Sequence, residues 1–175
     1  MVMGQYITCR IMSEKFVIAV VGRPDAGKSS ALLKLIERFP FINSSVPIYK
    51  QNHDMAVMRE YLNEKSNQIK KLGICTIGDD IKSLEVGYVP LLIKNKCDIV
   101  VVACRNKRDV ASNTFNYVAD RAKENGYKFL TTSIIRYEPE FNLGGNDDEN
   151  DGNTIISLLN EVFAENMINL IKRLS

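Results

Sequence analysis

A chain of 175 residues has the length of one ordinary domain, roughly 100 to 200 residues, and a second catalytic domain is not expected in it. Its 45% hydrophobic and 25% charged residues are the balance of a globular protein that buries a core unaided, which excludes disorder of the whole chain. The net charge of +2 gives no electrostatic ground for a nucleic-acid or membrane partner.

In chain order, residues 1–11 precede a second methionine, Met12, and read as a loose extension or an upstream start; residues 12–175 read as a single domain. Residues 16–21 are a continuous apolar run, the pattern of a strand buried on both faces. A glycine-bounded loop follows, and then Ala31, Leu32, Leu35 and Ile36 recur at helical spacing until Pro40 stops the helix. Residues 46–50 suggest a short second strand.

Asp54 is placed to cap a long helix to about Lys71, with Met55, Met58, Leu62 and Ile69 inward and Gly73 as its stop. Residues 74–77 read as a strand ending in Gly78, Asp79 and Asp80, with a helix running on to about Lys94. Another buried strand ends at Arg105, a helix spans about 111–124, and 127–132 is the last strand. The acidic, glycine-rich stretch 144–152 favours a mobile surface loop. As a calcium loop it fails, because its twelfth position is Leu158 where a bidentate Glu is needed. The closing helix, about 154–174, carries Ile155, Leu158, Leu159, Val162, Phe163, Leu170 and Leu174 in a wide apolar stripe for docking onto the sheet. Strand alternating with helix predicts an α/β fold, three layers deep (α/β/α), around a mainly parallel five-stranded sheet.

Cys9, Cys75, Cys97 and Cys104 lie too far apart for a zinc or redox motif and read as small hydrophobes in a reduced compartment. A lone histidine, His53, cannot make a multi-histidine metal site. No apolar run reaches the roughly 18 residues of a membrane span and no secretion signal opens the chain, so a cytoplasmic location is expected.

The chemistry concentrates at Gly22, Arg23, Pro24, Asp25, Ala26, Gly27, Lys28 and Ser29, with Ser30 behind them. This is G-x-x-x-x-G-K-[ST] between a strand and an amphipathic helix, the context its mechanism requires. The glycines let consecutive N–H groups turn inward as a nest for phosphate oxygens, and the helix adds unpaired N–H groups and its positive dipole end. Lys28 is placed to reach the β- and γ-phosphates, and the Ser29 hydroxyl to ligate Mg²⁺. At these residues the chain resembles the P-loop NTPase superfamily, and the wording from Val21 to Ser30 is similar to the phosphate loop of Era-like GTPases. That resemblance implies a P-loop type fold and binding of ATP or GTP with Mg²⁺.

Such a site also needs a carboxylate at a neighbouring strand end to hold the metal's water shell or orient the nucleophile, and Asp79 is the candidate metal ligand and catalytic residue, with Asp80 second. Arg105, followed by Lys107 and Arg108, is the candidate cation for neutralising transferred phosphate. Asn106, Lys107, Arg108 and Asp109 spell N-K-x-D, similar to the guanine-reading motif of GTPases, yet the motif falls one strand too early for that family and Gly78-Asp79-Asp80 replaces its D-x-x-G switch. The alternation of strands and helices and the length are similar to P-loop nucleoside and nucleotide kinases, which implies an acceptor pocket formed by 41–59 and the Asp79 strand end, with Arg59 or Arg136 contributing charge. Three functions stay open: Mg²⁺-dependent ATP hydrolysis or γ-phosphoryl transfer to a small acceptor, which leads; a small GTPase; and a nucleotide-dependent switch that binds a protein partner.

Overall fold

A computed structural model of the protein describes residues 14–23, 26–43, 48–51, 54–85, 89–105, 113–134 and 149–175, the side chains of 49–51 and 149–155 excepted. The elements run β1 (Phe16–Gly22), α1 (Lys28–Arg38), β2 (Tyr49–Gln51), β3 (Asp54–Asn63), β4 (Gln68–Cys75), the single turn α2 (Ile81–Ser83), α3 (Val89–Lys94), β5 (Ile99–Arg105), α4 (Thr114–Glu124), β6 (Lys128–Ser133) and α5 (Glu149–Leu174).

One sheet gathers six strands in the order β2-β3-β4-β5-β1-β6, one more than the sequence predicts. The ladders β4–β5, β5–β1 and β1–β6 are parallel, whereas β2–β3 and β3–β4 are antiparallel. The α/β class and a largely parallel sheet are therefore present. β1 and β5 sit at the centre because their runs of valine, isoleucine and alanine are apolar on both faces, and nearly every residue of both is buried.

The predicted long helix over 54–71 is a β-hairpin instead. Ala56 pairs with Cys75 and Asn63 with Gln68, and the four residues between turn the chain. Asn63 closes that turn: its Oδ1 accepts from the backbone N–H of Lys65 at 2.8 Å and of Ser66 at 3.3 Å, and Asn67 takes a left-handed φ of 51°. Val57 and Tyr61 enter the core on one face while Ala56 is buried on the other, an alternation of period two. Gly73 is not a helix stop. It lies within β4, where an added Cβ would come within 2.9 Å of the Leu92 side chain, so the missing side chain is what lets α3 approach the sheet.

Helices cover both faces of the sheet. α1 and α5 bury Leu32, Leu35, Ala164, Met167 and Ile171 against Ile18, Val20, Ile74 and Val101. On the other face Leu84, Leu92, Val118 and Ala122 pack on Val17, Ala19, Val100 and Val102. Glu161 ties α5 to α1 by accepting from Lys34, 3.0 Å away, and from Arg38. The stripe expected to dock α5 is only partly used: Leu158, Leu159 and Val162 are exposed, and anchoring falls to the more C-terminal Ala164, Met167 and Ile171. That helix begins at Glu149, so the end of the expected 144–152 loop is helical. Among the described residues no helix is long and apolar enough to cross a membrane.

Candidate functional site

Four parallel strands end on one edge of the sheet. Gly22 at the end of β1 is level with Arg105 at the end of β5, and Val21 is level with Ser133 of β6. β4 reaches the same edge one strand further out, where Cys75 is level with Val102. The carboxyl ends of such strands are where open α/β sheets place their ligands, because the chain leaves the sheet there and the first turns of helices face the gap.

The phosphate-loop candidate leaves β1 at this edge. Gly22 is buried; an added Cβ would lie 3.2 Å from Ala26 and 3.3 Å from the Lys28 side chain, so the loop folds back over its own start. The Ala26 N–H donates to the Arg23 carbonyl at 3.3 Å, closing the turn. Gly27 caps α1 with φ 78°, ψ 15°, the left-handed region where glycine alone carries no steric cost. Pro24 and Asp25 lie outside the described residues.

Lys28 does not point into solvent. It is 5% exposed, and its Nζ donates to the carbonyls of Arg23 at 2.7 Å and Gly22 at 3.3 Å, which holds the ammonium against the backbone at the end of β1. Ser29 is half-buried, and its hydroxyl donates to the Thr76 carbonyl at 3.1 Å just beyond β4. Thr76 is itself anchored, its N–H and Oγ1 bonded to the carbonyl and N–H of Met55. Ser30 and Arg23 are exposed at the rim.

The two acidic candidates divide. Asp80 caps α2: its carboxylate accepts from the Ser83 N–H at 2.8 Å and the Ser83 hydroxyl at 2.7 Å, and these bonds hold its pKa below the ordinary carboxylate value. Asp79 is left to the site. Its Oδ1 stands 2.9 Å from Nε of Arg105, an ion pair without hydrogen-bond alignment. Gly78 positions both, since an added Cβ would sit 2.0 Å from the Ala103 carbonyl oxygen, so the chain crosses β5 in close contact. Asp79 follows β4, which is separated from β1 by β5, so the expected acid on an adjacent strand is in fact one strand removed, with Arg105 between.

Arg59 does not join this group. It is level with Leu72, Ile99 and Phe16 at the opposite edge of the sheet, six residues or roughly 20 Å along β1 from Gly22, and stacks on the Phe41 ring. Asn106, Lys107, Arg108, Asp109, His53 and Arg136 lie outside the described residues. The end of β5 that precedes the first four in sequence is fixed, because the Arg105 N–H donates to the buried Thr114 hydroxyl at 2.9 Å.

Sequence reasoning missed Thr76, which fastens the end of β4 to β3, and Thr114, which fastens the start of α4 to the end of β5; neither leaves a motif. Cys75, Cys97 and Cys104 are buried and free, each thiol pushed up to about 12 chiefly by desolvation, so none is a nucleophile. Among the described residues no group of three or more His, Cys, Asp or Glu gathers as a cation cage. The hard oxygens of Ser29 and Asp79 suit Mg²⁺, which takes few protein ligands and completes its shell with phosphate and water. Comparison with family models, with curated proteins and with solved structures gives no match to this chain.

Proposed function

We propose that this chain is a P-loop nucleotide-binding protein that takes a magnesium-bound nucleoside triphosphate, with ATP preferred, and hydrolyses it or passes its γ-phosphoryl group to a small acceptor. The observation that carries this reading is Lys28: a buried ammonium held by the carbonyls of Gly22 and Arg23 within a glycine-bounded loop, between a strand end and a helix start. Phosphate is a ligand that a buried ammonium, the loop N–H groups and the helix N-terminus all suit.

In this reading the loop from Gly22 to Ser29 holds the phosphates, and Lys28 swings from its carbonyl partners to the terminal phosphates. Ser29 and Asp79 would hold Mg²⁺, which supplies charge neutralisation for the phosphate oxygens. Arg105 brings a second cation to the side of the site facing β4. Preference for ATP over GTP draws support from the sheet order. β5, the strand that precedes Asn106 in the sequence, lies between the phosphate strand and the strand before Asp79, whereas a base reader belongs at the far end of the triphosphate.

Phosphate release by the purified protein with Mg²⁺, under competition by unlabelled ATP and GTP, tests the reading. Mg²⁺-dependent release blocked better by ATP supports it. A micromolar GTP preference abolished by Asp109→Ala overturns the choice of base, and absence of any nucleotide binding overturns the reading itself.

A further inference from the structure

Asp79 and Arg105 are unequal partners. The Arg105 side chain is 17% exposed and fixed at the end of a central strand, whereas the Asp79 side chain is 70% exposed on the turn after β4. Their contact is close, at 2.9 Å, yet Nε of Arg105 has no aligned hydrogen-bond acceptor. The anion is therefore the member free to leave. Losing its counter-charge costs a part-buried guanidinium more than an exposed one, so departure of Asp79 favours a replacement anion.

The same turn follows Thr76, whose carbonyl holds Ser29 of the phosphate-loop helix, and Arg105 is level with Gly22 where that loop begins. Phosphate held by the loop thus arrives beside Arg105. We infer that Asp79 and Arg105 exchange partners on binding: the cation carried by the ligand draws Asp79 away, and Arg105 turns to the ligand's terminal phosphate. Arg105 is then the residue that separates a triphosphate from a diphosphate, and Asp79 withholds it until a magnesium-bound ligand is present. This rests on the nucleotide-binding reading above and adds to it the control of that site.

The exchange has a consequence that a plain metal-ligand role for Asp79 lacks. Without a divalent cation, Asp79 competes with the ligand for Arg105. Removing its charge should therefore tighten binding, although it removes a group that the magnesium-bound state uses.

The test measures ATP and ADP affinity in EDTA for wild type, Asp79→Asn, Arg105→Met and the double variant, with thermal melts confirming that each is folded; Arg105→Gln replaces Arg105→Met should the latter fail to fold. The exchange predicts that Asp79→Asn binds magnesium-free ATP about two- to fivefold more tightly, the range that a partly exposed ion pair sustains. The gain should be smaller for ADP and vanish without Arg105. An unchanged or weakened affinity in Asp79→Asn overturns the exchange while leaving nucleotide binding intact. An equal gain in the Arg105→Met background also overturns it, since simple repulsion between carboxylate and phosphate then suffices, and an equal gain for ADP removes the terminal-phosphate role. If wild type binds no nucleotide with or without Mg²⁺, the underlying reading fails and the exchange falls with it.

Discussion

The Ser29 hydroxyl donates to the Thr76 carbonyl at 3.1 Å, which fastens the first turn of α1 to the end of β4 across the intervening strand β5. This bond brings the phosphate-loop helix and the acidic turn 78–80 to one place, although their strands are not neighbours. In the proposed nucleotide complex the same Ser29 oxygen would serve as a ligand to the magnesium ion.

Ser29→Ala should therefore do two things. Loss of one partly buried hydrogen bond should lower stability by about 1 kcal/mol in a urea titration, and loss of the oxygen ligand should abolish Mg²⁺-dependent phosphate release. Ser29→Thr should restore both. Full turnover in Ser29→Ala would remove this residue from the metal site.

Two glycines at the site are required for different reasons and should differ in cost. Gly78→Ala drives a Cβ to 2.0 Å from the Ala103 carbonyl oxygen, whereas Gly27→Ala meets nothing within 4 Å and is strained only by its φ of 78°. Urea midpoints should show a loss of about 2 to 3 kcal/mol for Gly78→Ala, from overpacking against backbone. Gly27→Ala should lose about 1 kcal/mol, the cost of a left-handed alanine. The reverse order would contradict the close crossing of β5 by the turn.

Arg59 was a natural acceptor-pocket residue from sequence, but it stands at the far edge of the sheet over the Phe41 ring. Arg59→Ala should leave ATP affinity and phosphate release unchanged, while loss of the stacked side chain costs about 1 kcal/mol of stability. A selective fall in turnover at unchanged stability would return Arg59 to the site.

Much of this arrangement was legible before any coordinates. The runs 16–21 and 99–103 identified the two central strands, because only a strand covered on both faces is apolar throughout. The loop 22–29 announced itself by spacing. The hairpin did not: Met55, Met58, Leu62 and Ile69 fall at nearly helical intervals, and the Glu and Lys residues of 60–71 favour helix. What decided otherwise was the turn chemistry of Asn63 and Asn67, together with Val57 and Tyr61 of β3 buried in the core on one face of the sheet. The pairing of Asp79 with Arg105 was also illegible, since it depends on β5 entering between β1 and β4, an order that no local pattern encodes.

Burial should make three cysteines inert. With Cys75, Cys97 and Cys104 pushed up to about 12 from an ordinary value of 9.0, the folded chain keeps these thiols protonated where the unfolded chain ionises them. Iodoacetamide at pH 8 should modify none of the three in native protein and all three in urea, as read by peptide mass. The sign for stability follows: their contribution is complete below pH 9 and is lost as pH rises from 9 towards 12.

The account depends most on Lys28, whose ammonium is held by the Gly22 and Arg23 carbonyls. Isothermal titration of Mg²⁺–ATP into wild type and Lys28→Ala, with circular dichroism showing both folded, tests it most directly. The account predicts saturable one-site binding in wild type and none in Lys28→Ala. Equal binding by the two proteins, or none by folded wild type, would contradict it.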